Sequence, residues 1–330
     1  MKKITILIPL YNEEDSLKLL YKKLDESLTP LPYIFEFLFV NDGSKDNSLD
    51  IIKDLKEKDN RINYVSLSRN YGKEIALIAG IDNVNSDAMV IIDADLQHPI
   101  ETIPTMLEWF ELGYDDVYAK RVSRKGEPII KKMFAKIFYF FLKKISKITI
   151  LENVGDFRLL SRKAIEGLKQ FRENERYTKG LFSLIGYKKK EITFEVQERI
   201  AGKTKWNFFK LFDLGIRGIT TFSTAPLRLA SIFGIISSLS AFIYMVIVII
   251  YALFHKEDVP GYPSLMSVIL FLGGVQLISI GILGEYIATI FIETKKRPIY
   301  LIAETSFSNE NEKSLTPSPP LSKDGKGLEE

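Results

Sequence analysis

A Rossmann-like α/β domain with a mostly parallel sheet, followed by a C-terminal two-helix transmembrane hairpin, is the fold class this sequence predicts. Three observations carry it. Short apolar, β-prone segments alternate with helical patterns from residue 4 to about residue 200, the order that builds parallel sheets. Polar clusters stand where the strands should end, which is where such sheets present ligands. Two long uncharged apolar runs then occupy the last third of the chain.

The elements follow in order. Ile4 to Pro9 reads as the first strand and Glu13 to Leu28 as a helix; Phe35 to Val40 is the second strand, and a helix over Asp46 to Lys58 begins after Asp42-Gly43-Ser44. Strand Asn63 to Leu67, helix Lys73 to Val84 and strand Ala88 to Ile92 repeat the pattern. The start, Met1-Lys2-Lys3 before an apolar stretch, imitates a signal peptide, but Asn12-Glu13-Glu14 follows at once without a small-residue cleavage site. It is read as a strand.

Leu229 to Phe254 and Ser264 to Gly284 contain no charged residue. At 1.5 Å per helical residue each can cross a hydrocarbon core of roughly 30 Å. The expected division is a domain over 1–204, a juxtamembrane amphipathic helix over 205–226, spans at 227–254 and 264–292, a connecting loop at 255–263, and a polar, largely disordered tail at 293–330. Arg217 and Arg228 precede the first span and Lys295, Lys296 and Arg297 follow the second, so both termini are expected on the cytoplasmic side of the inner membrane.

Across 330 residues the net charge is only +3, but it is unevenly spread. Between Lys120 and Ile150 ten Lys or Arg face a single acid, Glu127, with Phe134, Phe138, Tyr139, Phe140 and Phe141 among them, a basic amphipathic helix suited to an anionic bilayer surface. Nucleic acid is not expected as a partner of a chain already tethered by two spans. The absence of Cys excludes disulfides and thiolate metal sites, and two His leave little for a His-based metal centre.

The sharpest local signal is Val90-Ile91-Ile92-Asp93-Ala94-Asp95-Leu96-Gln97, an apolar strand ending in two carboxylates and a carboxamide. Where a strand breaks at its carboxyl end, Asp93, Asp95 and Gln97 can turn toward one crevice and hold Mg²⁺ or Mn²⁺ against a diphosphate. A pair of acids after a strand is also found in solvated turns, so the neighbouring clusters matter: Tyr11-Asn12-Glu13 and Asn41-Asp42-Gly43-Ser44 end two other strands.

With these clusters, together with Asn70-Tyr71-Gly72-Lys73, Gln97-His98-Pro99, Gly155-Asp156-Phe157-Arg158, Glu198-Arg199, Gly202-Lys203-Thr204-Lys205, Gly284-Glu285-Tyr286 and Arg297-Pro298, the chain resembles the family 2 glycosyltransferases. Within them it is similar to the polyprenyl-phosphate branch that includes dolichol-phosphate mannose synthase and the bacterial bactoprenol glucosyltransferases. The resemblance implies a GT-A catalytic domain, a nucleotide-diphosphate sugar donor, a polyprenyl phosphate acceptor and a divalent metal. It departs from the family's pattern at Lys131, Lys132 and Ala135, where Arg and Ser are usual, at Thr204 in place of Ser, and at Thr289 in place of Arg.

Roles follow for the matching positions. Pro9, Tyr11, Glu13, Asp42, Lys73 and Asp93 are expected around the nucleotide, and Asp93, Asp95 and Gln97 on the metal. Arg199 and Lys203 would close over the diphosphate, and with Asp95 and Asp156 complete the catalytic set. Asp156 is read either as a base, as an orienter of Arg158, or as a helix cap before Ser161. Arg121, Arg124, Lys131 and Lys132 are the candidates for the acceptor phosphate. Gly273, Gly274, Gly281 and Gly284 permit close helix approach and point to a homo-oligomer.

The expected reaction is inverting transfer of one sugar, from UDP-glucose or a similar UDP-sugar, to undecaprenyl phosphate. A processive polysaccharide synthase would carry a Gln-x-x-Arg-Trp motif, which neither Gln170 nor Gln197 begins. A non-catalytic lipid-sugar scaffold or translocator is the other alternative; it leaves the intact Asp93-x-Asp95-x-Gln97 set without a purpose.

Overall fold

In the computed structural model, residues 1–121, 154–173, 178–194, 224–254 and 261–307 are described. Strands β1 (Lys3–Leu10), β2 (Ile34–Asn41), β3 (Ile62–Leu67) and β4 (Ala88–Ile91) alternate with helices α1 (Leu17–Leu28), α2 (Ser48–Lys58) and α3 (Lys73–Asn83). Then come α4 (Ile103–Glu111), β5 (Asp116–Arg121), β6 (Val154–Ser161), α5 (Arg162–Lys169), α6 (Thr178–Leu184) and β7 (Lys189–Phe194). Helices α7 (Ala225–Phe254) and α8 (Tyr262–Thr294) precede a last strand, β8 (Ile302–Thr305).

The strands form one sheet in the order β7-β5-β6-β4-β1-β2-β3-β8. β1 pairs in parallel with both β2 and β4, and β2 with β3, as the alternation predicts. Strand β6 runs antiparallel to both β4 and β5, and β8 antiparallel to β3, so the sheet is mixed at its margins.

Strand periodicity sorts the core into two layers. Ile4, Ile6 and Ile8 of β1 and Phe35, Phe37 and Phe39 of β2 face Leu17, Leu20 and Leu24 of α1, Ile52 of α2 and Met106 and Leu107 of α4. Leu7, Leu38 and Val40 point the other way, onto Leu77 and Ile81 of α3, Ile165 and Leu168 of α5 and Phe182 of α6. Each fully buried Leu, Ile or Phe contributes about 1.5–3 kcal/mol relative to an exposed one. These two layers hold the strand ends rigid.

Two boundaries differ from expectation. α1 begins at Leu17, not Glu13, because the intervening backbone is tied to the loop after β2: the N–H groups of Asn12, Glu13 and Glu14 donate to side chains of Ser44, Ser48 and Asp46. Residues 302–305, assigned from sequence to the polar tail, form edge strand β8. Tyr64 of β3 donates its hydroxyl to Glu304 at 2.7 Å, and Lys53 pairs with the same carboxylate at 2.8 Å.

Helices α7 and α8 contain stretches of 27 and 30 residues with mean hydropathies of 2.5 and 2.2, long and apolar enough to cross a membrane, and neither is buried inside the protein. The basic segment expected at 120–150 and the juxtamembrane helix expected at 205–226 lie outside the described residues, apart from their ends at Lys120-Arg121 and from Thr224 onward.

Candidate active site

The loops after β1, β2 and β4 converge on one edge of the sheet, joined by Asp156 in β6. The loop after β2 is shaped by Gly43, whose φ of +64° and close approach to Arg69 and Asn70 admit no side chain: a Cβ would stand 2.4 Å from the Arg69 carbonyl carbon. Asp42 next to it is buried and accepts the backbone N–H groups of Tyr71 at 2.7 Å and Gly72 at 2.8 Å. Burial pushes its pKa up, against the lowering effect of those two donors. Asp42 thereby fixes the turn that opens α3.

Lys73 is the first residue of α3, where the helix dipole disfavours a cation. Its ammonium is held there by two carboxylates, Asp93 at 2.6 Å and Asp156 at 2.7 Å. Burial by itself would lower the Lys73 pKa, but the attraction of Asp93 and Asp156 outweighs it and the pKa rises. For Asp93 burial pushes upward, and Lys73 overcomes it and brings the carboxyl down to about 2.

After β4 the chain turns sharply: Asp95 accepts the backbone N–H of Gln97 at 3.1 Å, and Leu96 takes a left-handed φ of 58°, unusual for a branched residue. This turn brings in a residue the sequence reading passed over. His98 is buried, stacked on Phe157 with centroids 4.8 Å apart and edge-on to Phe194 at 5.8 Å. Ligand atoms of Asp93, Asp95 and His98 all lie within 4.8 Å of one another, a donor set of two carboxylates and one imidazole that fits a divalent cation. Burial lowers the His98 pKa despite the nearby Asp93, which favours the neutral, ligating form. The His98-Pro99 pair directly after the acidic motif was the available signal.

Asp156 is the third residue of β6, close to where the β5–β6 register shifts between Tyr118 and Lys120. Such irregularities re-aim side chains. It is not a helix cap; that place belongs to Ser161, whose side chain accepts the Ala164 N–H. Nor does Arg158 pair with Asp156 among the described residues: its guanidinium bonds Asp116 of β5 at 3.2 and 3.3 Å, both side chains buried, and lies 3.6 Å from the Phe182 ring centre. Arg158 is a core residue.

Arg121, at the end of β5, is near enough to act electrostatically on Asp93 and His98, so it belongs to the same crevice. Glu74, also missed from sequence, follows Lys73; burial and the Asp156 charge raise its pKa, and its carboxylate accepts the Thr178 N–H at 2.9 Å. Pro9 and Glu13 stand at and after the end of β1, and Tyr11 is exposed beside them. Gln97 is buried, with its side chain on the same loop as Asp95. Arg124, Lys131, Lys132, Arg199 and Lys203 lie outside the described residues.

A mostly parallel sheet with helices on both faces, carrying an acidic metal-type cluster at the carboxyl edge of its parallel strands, is the frame of a GT-A-like enzyme. The chain belongs to glycosyl transferase family 2, whose model matches residues 5–168, and is a glycosyltransferase; residues 225–290 match the GtrB C-terminal hairpin, which marks it as membrane-anchored. Among its relatives, an uncharacterized glycosyltransferase of Synechocystis sp. is 46% identical over 91% of this chain and 95% of its own length. The prophage bactoprenol glucosyl transferase homolog of Escherichia coli is 45% identical over 91% of this chain and 98% of its own. The SfII prophage-derived bactoprenol glucosyl transferase of Shigella flexneri is 44% identical over 93% and 99%.

Proposed function

We propose that this glycosyltransferase transfers one glucosyl residue from UDP-glucose to a polyprenyl phosphate at the cytoplasmic face of the membrane, with inversion at the anomeric carbon. The observation that carries the reading is the meeting of Asp93, Asp95 and Lys73 at one strand edge, a charge pattern suited to a sugar diphosphate, in a chain with two helices long and apolar enough to cross a membrane. The names of the relatives support glucose and the lipid acceptor.

In this reading Pro9, Tyr11, Glu13 and Asp42 wall the nucleoside pocket. A bound Mg²⁺ or Mn²⁺, held by Asp93 and Asp95 with Gln97 on the same loop, would neutralise charge on the diphosphate. Lys73 adds a fixed positive charge, kept protonated and aimed by Asp93 and Asp156. Arg121, with Arg124, Lys131 and Lys132 of the basic segment, holds the acceptor phosphate, while Arg199 and Lys203 contribute charge from the segment after β7. The acceptor is already anionic at neutral pH: one of its oxygens forms the new bond to the anomeric carbon as the bond to the diphosphate breaks, and that electron pair leaves with UDP. Positioning two anions, rather than proton transfer, is the main task.

A homo-oligomer is part of the proposal. Among the described residues nothing stands within 4 Å of where a Cβ would lie on Gly234, Gly273, Gly274, Gly281 or Gly284, which leaves these faces to a second copy.

The test is transfer of radiolabelled sugar from a panel of nucleotide sugars to undecaprenyl phosphate in detergent, with Mn²⁺ or Mg²⁺ and with EDTA. A labelled, organic-soluble product from UDP-glucose that disappears with EDTA and in Asp95→Ala is expected. Transfer that persists in folded Asp95→Ala would remove the metal cluster from the reaction.

A further inference from the structure

We propose that His98 is a direct protein ligand of the divalent cation, beside Asp93 and Asp95, and that the site consequently prefers Mn²⁺ to Mg²⁺. The inference rests on the metal-dependent reading above and adds to it a ligand of a different chemical type.

Three observations carry it. His98 is 3% exposed, yet neither of its ring nitrogens has a hydrogen-bond partner among the described residues. Buried imidazoles are ordinarily satisfied, so two open nitrogens call for a partner of another kind. The ring is clamped, stacked on Phe157 and edged by Phe194, so its direction is set before anything binds. And a ligand nitrogen of this clamped ring shares a space within 4.8 Å with carboxylate oxygens of Asp93 and Asp95, whereas two ligands at ~2.2 Å from one ion stand up to about 4.4 Å apart. A small tightening closes the difference.

The left-handed turn at Leu96 supplies the local reason for this arrangement. It folds the chain back between Asp95 and His98, letting a carboxylate and an imidazole three residues apart address one point. Imidazole is a good ligand for Mn²⁺ and later transition ions, while Mg²⁺ favours an all-oxygen shell, so a built-in nitrogen ligand biases selection. If His98 served only as an aromatic in the core, a Phe stacked on Phe157 would do equally well.

The experiment is pulsed EPR of Mn²⁺ bound to full-length, untagged protein in detergent, in a His255→Gln background, with nitrogen-free inorganic pyrophosphate as the second ligand. The sequence contains only two histidines, so the background leaves His98 as the sole imidazole. A ¹⁴N modulation from a directly bound imidazole is expected, together with its loss in His98→Phe and a fall in Mn²⁺ affinity of about tenfold or more. Saturable Mn²⁺ binding without ¹⁴N coupling overturns the proposal and leaves the metal reading intact. No saturable binding at all removes both. Unchanged Mn²⁺ affinity in His98→Phe also overturns it, and should that variant fail to fold, the spectrum of the His98-containing protein decides alone.

Discussion

Lys73 of α3 holds Asp156 of β6 at 2.7 Å and Asp93, just past β4, at 2.6 Å, so one ammonium joins three elements at the mouth of the sheet. Without it two carboxylates would face each other in a half-buried crevice. The arrangement ties the chemistry of the site to a titration.

Because Lys73 holds the Asp93 carboxyl at about 2, below the ordinary carboxylate value of 3.8, the ionised form contributes stability above that ordinary value and the contribution is lost only as pH falls toward 2. In Lys73→Met the burial of Asp93 loses its strongest opponent, leaving only the pull of His98 and Arg121, and its pKa moves up. The acid limb of both sugar transfer and thermal stability should therefore shift to higher pH, with kcat/KM down about 10²-fold at neutral pH. The raised pKa of Lys73 itself means that its contribution is complete below its ordinary value and lost only at strongly alkaline pH. A pH profile of transfer and of Tm on both proteins checks this; coincident acid limbs would contradict it.

The pair Arg158–Asp116 is almost wholly buried, and burial drives the Asp116 pKa up against the pull of Arg158. Removing one partner strands a charge. Asp116→Leu or Arg158→Met should each cost about 3–5 kcal/mol, and the double variant less than the sum of the two. Chemical denaturation of the detergent-solubilised protein measures it; additive losses would show that the two side chains act independently.

Gly43→Ala places a methyl group 2.4 Å from the Arg69 backbone at a φ of +64°. A loss of about 2 kcal/mol or more is expected, with a lowered Tm and weaker UDP binding, since Asp42 and the Tyr71-Gly72 turn would shift together. Unchanged Tm and UDP affinity would mean that the two loops have room to separate.

The pairing of β8 with β3 requires the chain to return to the catalytic domain after α8, which two membrane crossings achieve only if both flanks share a side. Tyr300 reinforces the return by donating to Asp82 at 2.8 Å. The native chain has no Cys, so single replacements report cleanly. Glu57→Cys and Lys295→Cys should react with an impermeant thiol reagent only after the cytoplasmic side is opened, and Glu257→Cys without opening. Opposite behaviour of the first two would break the topology.

Much of the fold was legible because its signals are periodic and local. The apolar runs Ile4 to Pro9 and Phe35 to Val40 are buried on both faces, so they read as parallel strands whatever their neighbours. The hairpin was equally plain, since each span shows as a long run without a charged residue, Leu229 to Phe254 and Ser264 to Gly284. β8 was not legible: Ile302-Ala303-Glu304-Thr305 is short and half polar, as edge strands are, and only the exposed edge of β3 gives it a partner. The start of α1 failed for a related reason, because its competing hydrogen bonds come from Ser44, Asp46 and Ser48 across the crevice.

The sequence by itself determined the alternation of elements, the acidic cluster at a strand end, the two membrane helices and the family, all of which are written in runs of neighbouring residues. The tertiary structure alone decided that Lys73 bridges Asp93 and Asp156, that Arg158 belongs to Asp116 and the core, and that His98 turns toward the carboxylates. The first two are contacts between elements far apart in the chain, and the third depends on how one short loop folds against the core. Their partners are chosen by sheet order, register and a left-handed turn, and by the cost of leaving a buried charge alone.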